Sequence, residues 1–256
     1  MQEHHRPLTN TVAIVTGASS GIGAATARQL AALGATVALV ARREDRLQEN
    51  AAAIANAGGS SLVVPADITV QSEAERAVAR VVEAFGRIDV LINNAGLMIL
   101  GPVSDGDVAQ WERMIDINQK GLLFMTNAAL PHLLDAAEHS ERRVADIVNI
   151  SSIAGRVAWA NYGVYNMTKF GVNGFTEALR QEVTKRHVRV GVLEPGGVST
   201  ELGSHNSGAM RADIDSFYDT TETLLPEDVA EGVAFMVTRP RRASIGELWV
   251  MPSDQA

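Results

Sequence analysis

The chain reads as an α/β protein, a Rossmann-like doubly wound parallel sheet of about seven strands with helices on both faces. Three observations lead there. Apolar runs near residues 12, 36, 61, 88, 145, 188 and 246 alternate with helical patterns, as successive βαβ units do. The first run passes straight into a glycine-rich loop and then a helix, an arrangement suited to holding phosphates. The 256 residues are 46% hydrophobic, and α/β chains of this length commonly form one domain. We therefore expect a single domain over 1–256, with a ragged polar N-terminus over 1–10.

Each element follows from its residues. Val12-Ala13-Ile14-Val15 is short, apolar and rich in β-branched side chains, so it predicts a buried strand. Thr16-Gly17-Ala18-Ser19-Ser20-Gly21-Ile22-Gly23 follows, then a helical pattern through Ala25, Leu30 and Leu33 that stops at Gly34. Glycines let backbone approach a pyrophosphate, and the helix N-terminus supplies N–H donors. The spacing is G-x-x-x-G-x-G rather than the general G-x-G-x-x-G. An ordinary tight turn is the plainer alternative, and the flanking strand and helix favour a dinucleotide.

The second strand, Thr36 to Val40, bears on which dinucleotide. An NAD-binding fold usually places Asp or Glu here for the ribose 2′-hydroxyl. This chain has Ala41, then Arg42 and Arg43. A guanidinium can pair with a 2′-phosphate in a forked geometry, so NADP(H) is expected. Glu44 and Asp45 suit the start of the next helix, where the dipole favours negative charge.

Further along, a long helix is expected from about Trp111 to His132. Its Met114, Ile115, Leu122, Leu123 and Met125 exceed one narrow apolar stripe. Ser152 closes the fifth apolar run, and Tyr165 and Lys169 follow four residues apart on a helix. That spacing places phenol and ammonium on one face. The ammonium should lower the phenol pKa from about 10, letting the tyrosine exchange a proton with a carbonyl or alcohol oxygen. The Ser152 hydroxyl can hydrogen-bond the same oxygen. Tyr-x-x-x-Lys is common on ordinary helices, so the triplet has weight only beside the glycine loop. The same helix carries Gly163, Gly171 and Gly174, each costing about 1 kcal/mol against alanine, which close packing should offset.

After Pro195-Gly196 comes a polar stretch, 200–223, whose large apolar groups are Met210, Phe217 and Tyr218. It is a candidate substrate lid or a plain surface excursion. Met98, Leu100, Ile153, Trp159, Phe217 and Tyr218 are expected to line an apolar substrate pocket.

Composition excludes several classes. A net charge of −8 argues against a nucleic-acid surface, and Arg239, Arg241 and Arg242 read as a solvated turn. No apolar run reaches membrane-span length, and the polar first ten residues predict no secretory signal. Without cysteine there is no thiol chemistry, which suits a cytoplasmic enzyme. His4, His5, His132, His139, His187 and His205 show no ligand spacing, so no catalytic metal is expected.

Taken together, the chain resembles the short-chain dehydrogenase/reductase family in its compact single-domain branch. The motifs carrying the likeness are Thr16-Gly17-x-x-x-Gly21-x-Gly23, Asp67, Asn93-Asn94-Ala95-Gly96, Asn118, Ser152, Tyr165-x-x-x-Lys169 and Pro195-Gly196, in the family's order. The resemblance implies Tyr165 as acid/base and Ser152 polarising the substrate oxygen. It implies that Lys169 holds the nicotinamide ribose and that Asn118 anchors a water passing protons to Lys169. Asp67 would meet the adenine, and Asn94 with Gly96 would floor the cofactor site. Ser19, Ser20, Ile22, Ile68, Ala95, Pro195, Gly196, Val198 and Thr200 would complete that site. Ser151 would be structural. The family also implies a homotetramer built on the two long helices, with a homodimer as the alternative. Within the family, segments 151–157, 169–173 and 179–183 resemble NADP-dependent clavulanate dehydrogenases and related bacterial carbonyl reductases. The expected activity is hydride exchange between NADP(H) and an aldehyde or ketone. A nucleotide sensor without catalysis, and an epimerase or dehydratase with retained cofactor, are the rival expectations.

Overall fold

The computed structural model describes residues 6–255. Along them run β1 (Val12–Thr16), α1 (Gly21–Ala32), β2 (Thr36–Ala41), α2 (Glu44–Asn56), β3 (Ser60–Pro65), α3 (Gln71–Phe85), β4 (Val90–Asn93), α4 (Val108–Ile115), α5 (Leu122–His139), β5 (Ala145–Ile150), α6 (Gly163–Val183), β6 (Val188–Pro195), α7 (Gly208–Thr220), α8 (Pro226–Val237) and β7 (Glu247–Val250). Every apolar run of the sequence is a strand. The strands are all parallel, in the order β3-β2-β1-β4-β5-β6-β7. The order reverses between β1 and β4, so their carboxyl ends splay apart and leave a crevice.

Burial explains the strand sequences. β1, β4, β5 and β6 are buried at every residue, hence their unbroken apolar character. β7, at an edge, alternates exposed Glu247 and Trp249 with half-buried Leu248 and Val250. On one face of the sheet, Val78, Val81, Met125, Leu133 and Leu179 pack from α3, α5 and α6. On the other, Leu30, Leu47, Ile54, Val229 and Val233 pack from α1, α2 and α8. Each such side chain contributes about 1.5–3 kcal/mol by leaving water. A polar chain crosses the first core. Asn93 Nδ2 donates to Thr126 Oγ1 and Asn149 Oδ1, both at 2.9 Å, and Asn149 Nδ2 donates to Thr176 Oγ1 at 2.8 Å. It locks α5 and α6 to the carboxyl ends of β4 and β5, beside the crevice.

Four expectations need correction or refinement. The ragged N-terminus fails over residues 6–10: Leu8 is fully buried and its N–H donates to the Leu33 carbonyl at 3.0 Å. Residues 1–5, with His4 and His5, lie outside the described residues. The stretch from Trp111 to His132 is not one regular helix. A π-turn at Asp116–Gly121 separates α4 from α5. Of the three glycines on α6, only Gly171 is packed too closely for a Cβ, by the Gln119 side chain, whereas Gly174 faces open space. Finally, 200–223 is largely helical, with a 3-10 turn at Glu201–His205 and then α7. Contacts tie it down: Asn206 Oδ1 accepts from Leu100 N–H at 2.7 Å, and Asn206 Nδ2 donates to the Met98 carbonyl at 3.0 Å. No helix among the described residues is long and apolar enough to cross a membrane.

Candidate active site

At the end of β1 the chain turns through Gly17, whose φ of +66° is open to glycine and strained for other residues. A Cβ on Gly17 would lie 2.8 Å from Asn94 Nδ2, and one on Gly23 would collide with the Gly17 carbonyl. Thr16 Oγ1 accepts from the N–H groups of Asn94 (2.9 Å) and Ala95 (3.1 Å), and Asn94 Nδ2 donates to the Thr16 carbonyl (2.9 Å). The glycine loop is thereby clamped to the end of β4 across the switch point. Beside it, Ser20 heads α1 with no capping bond from its side chain.

This loop borders a cleft of ≈ 1220 Å³ that runs along the carboxyl ends of the strands. All the residues expected at the site line it except Gly23 and Asn118. Gly23 serves the packing of α1 against the loop. Four side-chain donors line the cleft beside the loop. The Arg43 guanidinium donates to Ser19 Oγ (3.1 Å) and Ser20 Oγ (2.8 Å), and also meets Glu201 Oε2 at 3.1 Å. Arg42 stands 4.0 Å from Asp67 Oδ2. Asp67 Oδ1 already accepts from the Thr69 N–H and hydroxyl, at 3.0 and 2.7 Å. Two guanidiniums, two hydroxyls and a helix N-terminus are donors matched to a phosphorylated dinucleotide, and no carboxylate stands at Ala41 to repel one. The residues fit such a cofactor.

Ser152, Tyr165 and Lys169 line the same cleft. Ser152 follows β5 in extended backbone, and its hydroxyl accepts from Ala154 N–H at 3.1 Å. It also stands near the Tyr165 phenol and favours its ionised form. The Lys169 ammonium donates to the Ile150 carbonyl at 3.0 Å and lies 5.7 Å from the centre of the Tyr165 ring. Both side chains are buried. Burial pushes the Tyr165 phenol up to about 12, with the nearby Ser152 hydroxyl pulling the other way, and burial alone brings Lys169 down to about 8. The expected lowering of the tyrosine by its lysine is therefore reversed in the protein alone. The ammonium is directed at a backbone carbonyl, and a dry site disfavours charge on either group.

Asn118 is held by three side-chain hydrogen bonds. Its Oδ1 accepts from Leu97 N–H (2.7 Å), while Nδ2 donates to the Leu97 carbonyl (2.9 Å) and Thr168 Oγ1 (3.0 Å). Those bonds make the side chain a strut between the segment after β4 and α6. It touches Lys169 only across Gly96, where a Cβ would sit 3.6 Å from Asn118 Oδ1 and 3.8 Å from Lys169 Nζ. Ser151, buried, bonds the Lys169 carbonyl at 3.4 Å and belongs to the packing of α6.

Sequence reasoning passed over Tyr162, Glu201 and Gln255, which also line the cleft. Tyr162 packs edge-on between Trp159 and Tyr165, at 5.4 and 6.5 Å between ring centres. Its spacing of three from Tyr165 was the available signal. Gln255 accepts from Gly197 N–H at 2.8 Å, and nothing in the sequence points to it. Phe217 lies against Gly197, and the Tyr218 hydroxyl donates to the Val198 carbonyl at 3.0 Å.

Comparison with known proteins agrees with this geometry. The family pattern described as short chain dehydrogenase matches residues 11–210. An uncharacterized oxidoreductase of Staphylococcus saprophyticus is 36% identical over 248 residues, covering 96% of this chain and 97% of that protein. Among solved structures, the closed form of a serine dehydrogenase complexed with NADP+ superposes with a TM-score of 0.87 at 34% identity, covering 96% of each chain. A 3-ketoacyl-(acyl-carrier-protein) reductase from Brucella melitensis complexed with NADH gives 0.85 at 28% identity, covering 97% of this chain and 100% of that one. With a parallel seven-stranded sheet and a match over most of its length, the chain belongs to the short-chain dehydrogenase family and is an oxidoreductase of that kind.

Proposed function

We propose that this oxidoreductase uses NADP(H) to interconvert an aldehyde or ketone with the corresponding alcohol, with Tyr165 as the acid/base. One observation supports this above the others: phosphate-type donors and the Ser152–Tyr165–Lys169 group line one cleft. A bound nicotinamide supplies the hydride chemistry. Ser152 holds the substrate oxygen by hydrogen bond. Tyr165, protonated through neutral pH, gives its proton to that oxygen as negative charge develops there. Lys169 keeps a positive charge near the phenol below pH about 8 and stabilises the phenolate that donation leaves behind.

The structural relatives carry both NADP+ and NADH. In this chain Arg42 and Arg43 favour the phosphorylated form. The apolar walls from Met98, Leu100, Ile153, Trp159 and Phe217 favour a fairly hydrophobic carbonyl, consistent with the clavulanate dehydrogenase-type likeness of segments 151–157 and 169–173. Exposed Leu123 on α5, and Met167 and Phe170 on α6, support a homo-oligomer formed through these helices. The test is a panel of aldehydes, aryl ketones and alcohols followed by nicotinamide absorbance with each cofactor. Turnover of a bulky carbonyl with NADPH well above NADH is expected. Absence of turnover with every carbonyl and alcohol, or a preference for NADH, would contradict the proposal.

A further inference from the structure

Arg43 is not waiting with a free guanidinium. Both its terminal nitrogens donate to Glu201 Oε2 at 3.1 Å, while one of them also reaches Ser19 and Ser20. Glu201 is 158 residues away in the chain and opens the 3-10 turn that follows Thr200. It is placed there by its neighbour. The Thr200 methyl sits over the glycine loop, 3.1 Å from where a Gly21 Cβ would be, and the Thr200 hydroxyl accepts from Leu202 N–H. The Glu201 carboxylate thus rests on a guanidinium that also holds two serine hydroxyls, the second of them heading α1. These are the donors that an anion bound at Arg43 would take. The Arg43 guanidinium, helped by Ser20, holds the Glu201 carboxyl below its ordinary range, so it is ionised at neutral pH.

We infer that Glu201 is a specificity-determining residue: its carboxylate competes with the 2′-phosphate of NADP(H) for Arg43 and lowers affinity for that cofactor selectively. This rests on the reading of Arg43 as the 2′-phosphate ligand. A phosphate and a carboxylate cannot share one guanidinium without strong like-charge repulsion, so binding the first displaces the second. A dinucleotide without the 2′-phosphate leaves the Arg43–Glu201 pair in place. Arg43 and Glu201 are half exposed, at 46% and 56% of the side chain, so solvent screens the pair. The competition is correspondingly modest, on the order of three- to tenfold in binding constant at low salt, and it shrinks as salt rises.

Calorimetric titration of the intact protein with adenosine 2′,5′-bisphosphate, with 5′-AMP as the control, reads this without turnover. Glu201→Gln keeps the shape and removes the charge. It should bind the bisphosphate about three- to tenfold more tightly and 5′-AMP as the parent does. Arg43→Ala should weaken the bisphosphate alone, and adding Glu201→Gln to it should recover clearly less than the single change gains. If Arg43→Ala weakens the bisphosphate but Glu201→Gln leaves it unchanged or weaker, the competition is refuted while the role of Arg43 stands. If Arg43→Ala leaves the bisphosphate untouched, the 2′-phosphate reading falls and the competition falls with it. Equal tightening of both nucleotides by Glu201→Gln would also overturn it, since the effect would then be general electrostatics.

Discussion

On the proposed mechanism, Tyr165 and Lys169 set the pH behaviour of the site. With the phenol at about 12 and the ammonium at about 8, the protein holds a proton donor and a nearby cation across the neutral range. The proposed carbonyl reduction would use that pair as it stands. Alcohol oxidation needs the phenolate, which becomes more available as pH rises. We therefore expect kcat/KM for reduction to be level through neutral pH and to fall above pH about 8, where Lys169 loses its charge. Oxidation should instead climb with pH. Profiles of both directions check this, and Lys169→Gln should abolish the fall in reduction near 8. A reduction profile unchanged through that region would remove Lys169 from the mechanism. The position of these residues could be read from their spacing, but the direction of the tyrosine shift could not. It depends on burial of both groups and on the Ile150 carbonyl that receives the ammonium, and neither is local in sequence.

At the level of elements, the loop that carries Ser152 is braced by a buried carboxylate. Arg156, just after the 3-10 turn at Ile153–Gly155, places its Nε 2.9 Å from both oxygens of Glu194 on β6. Asn173 on α6 donates to Glu194 Oε1 at 2.6 Å and to the Gly155 carbonyl at 3.1 Å. Glu194 is wholly buried, so removing its cation leaves a charge with one amide for company. Arg156→Met should cost about 3 kcal/mol, the lower end for breaking a buried pair, because Arg156 itself is partly exposed and Asn173 remains. Urea unfolding measures it, and adding Glu194→Leu should recover part of the loss. An unchanged midpoint in Arg156→Met would show that the pair contributes nothing. This brace accounts for Arg156, Gly155 and Asn173 in the segments that carried the finer family likeness. The π-turn at Asp116–Gly121 was not legible, since one added residue per turn leaves the apolar pattern of α4 and α5 nearly intact. The helix α7 was equally hidden, because its sequence is polar apart from a few groups turned to the cleft.

Across the whole molecule, the sheet was the most legible feature. Strands buried on both faces must be apolar throughout, so the sequence marks them, and a glycine loop after the first marks the switch point. What the sequence hid were contacts between distant segments: Leu8 under α1, Asn206 on the Met98–Leu100 backbone, Glu201 on Arg43. Such pairs carry no periodicity and no motif. On the proposed mechanism, the cleft joins cofactor donors beside β1 to the reacting groups beyond β4, and the two groups divide the labour. The most direct measurement is single-turnover oxidation of NADPH by a carbonyl substrate in Tyr165→Phe, with the NADPH dissociation constant determined on the same protein. The account predicts a rate about 10²–10⁴ lower than the parent with a dissociation constant nearly unchanged. A parent-like rate in Tyr165→Phe would contradict it.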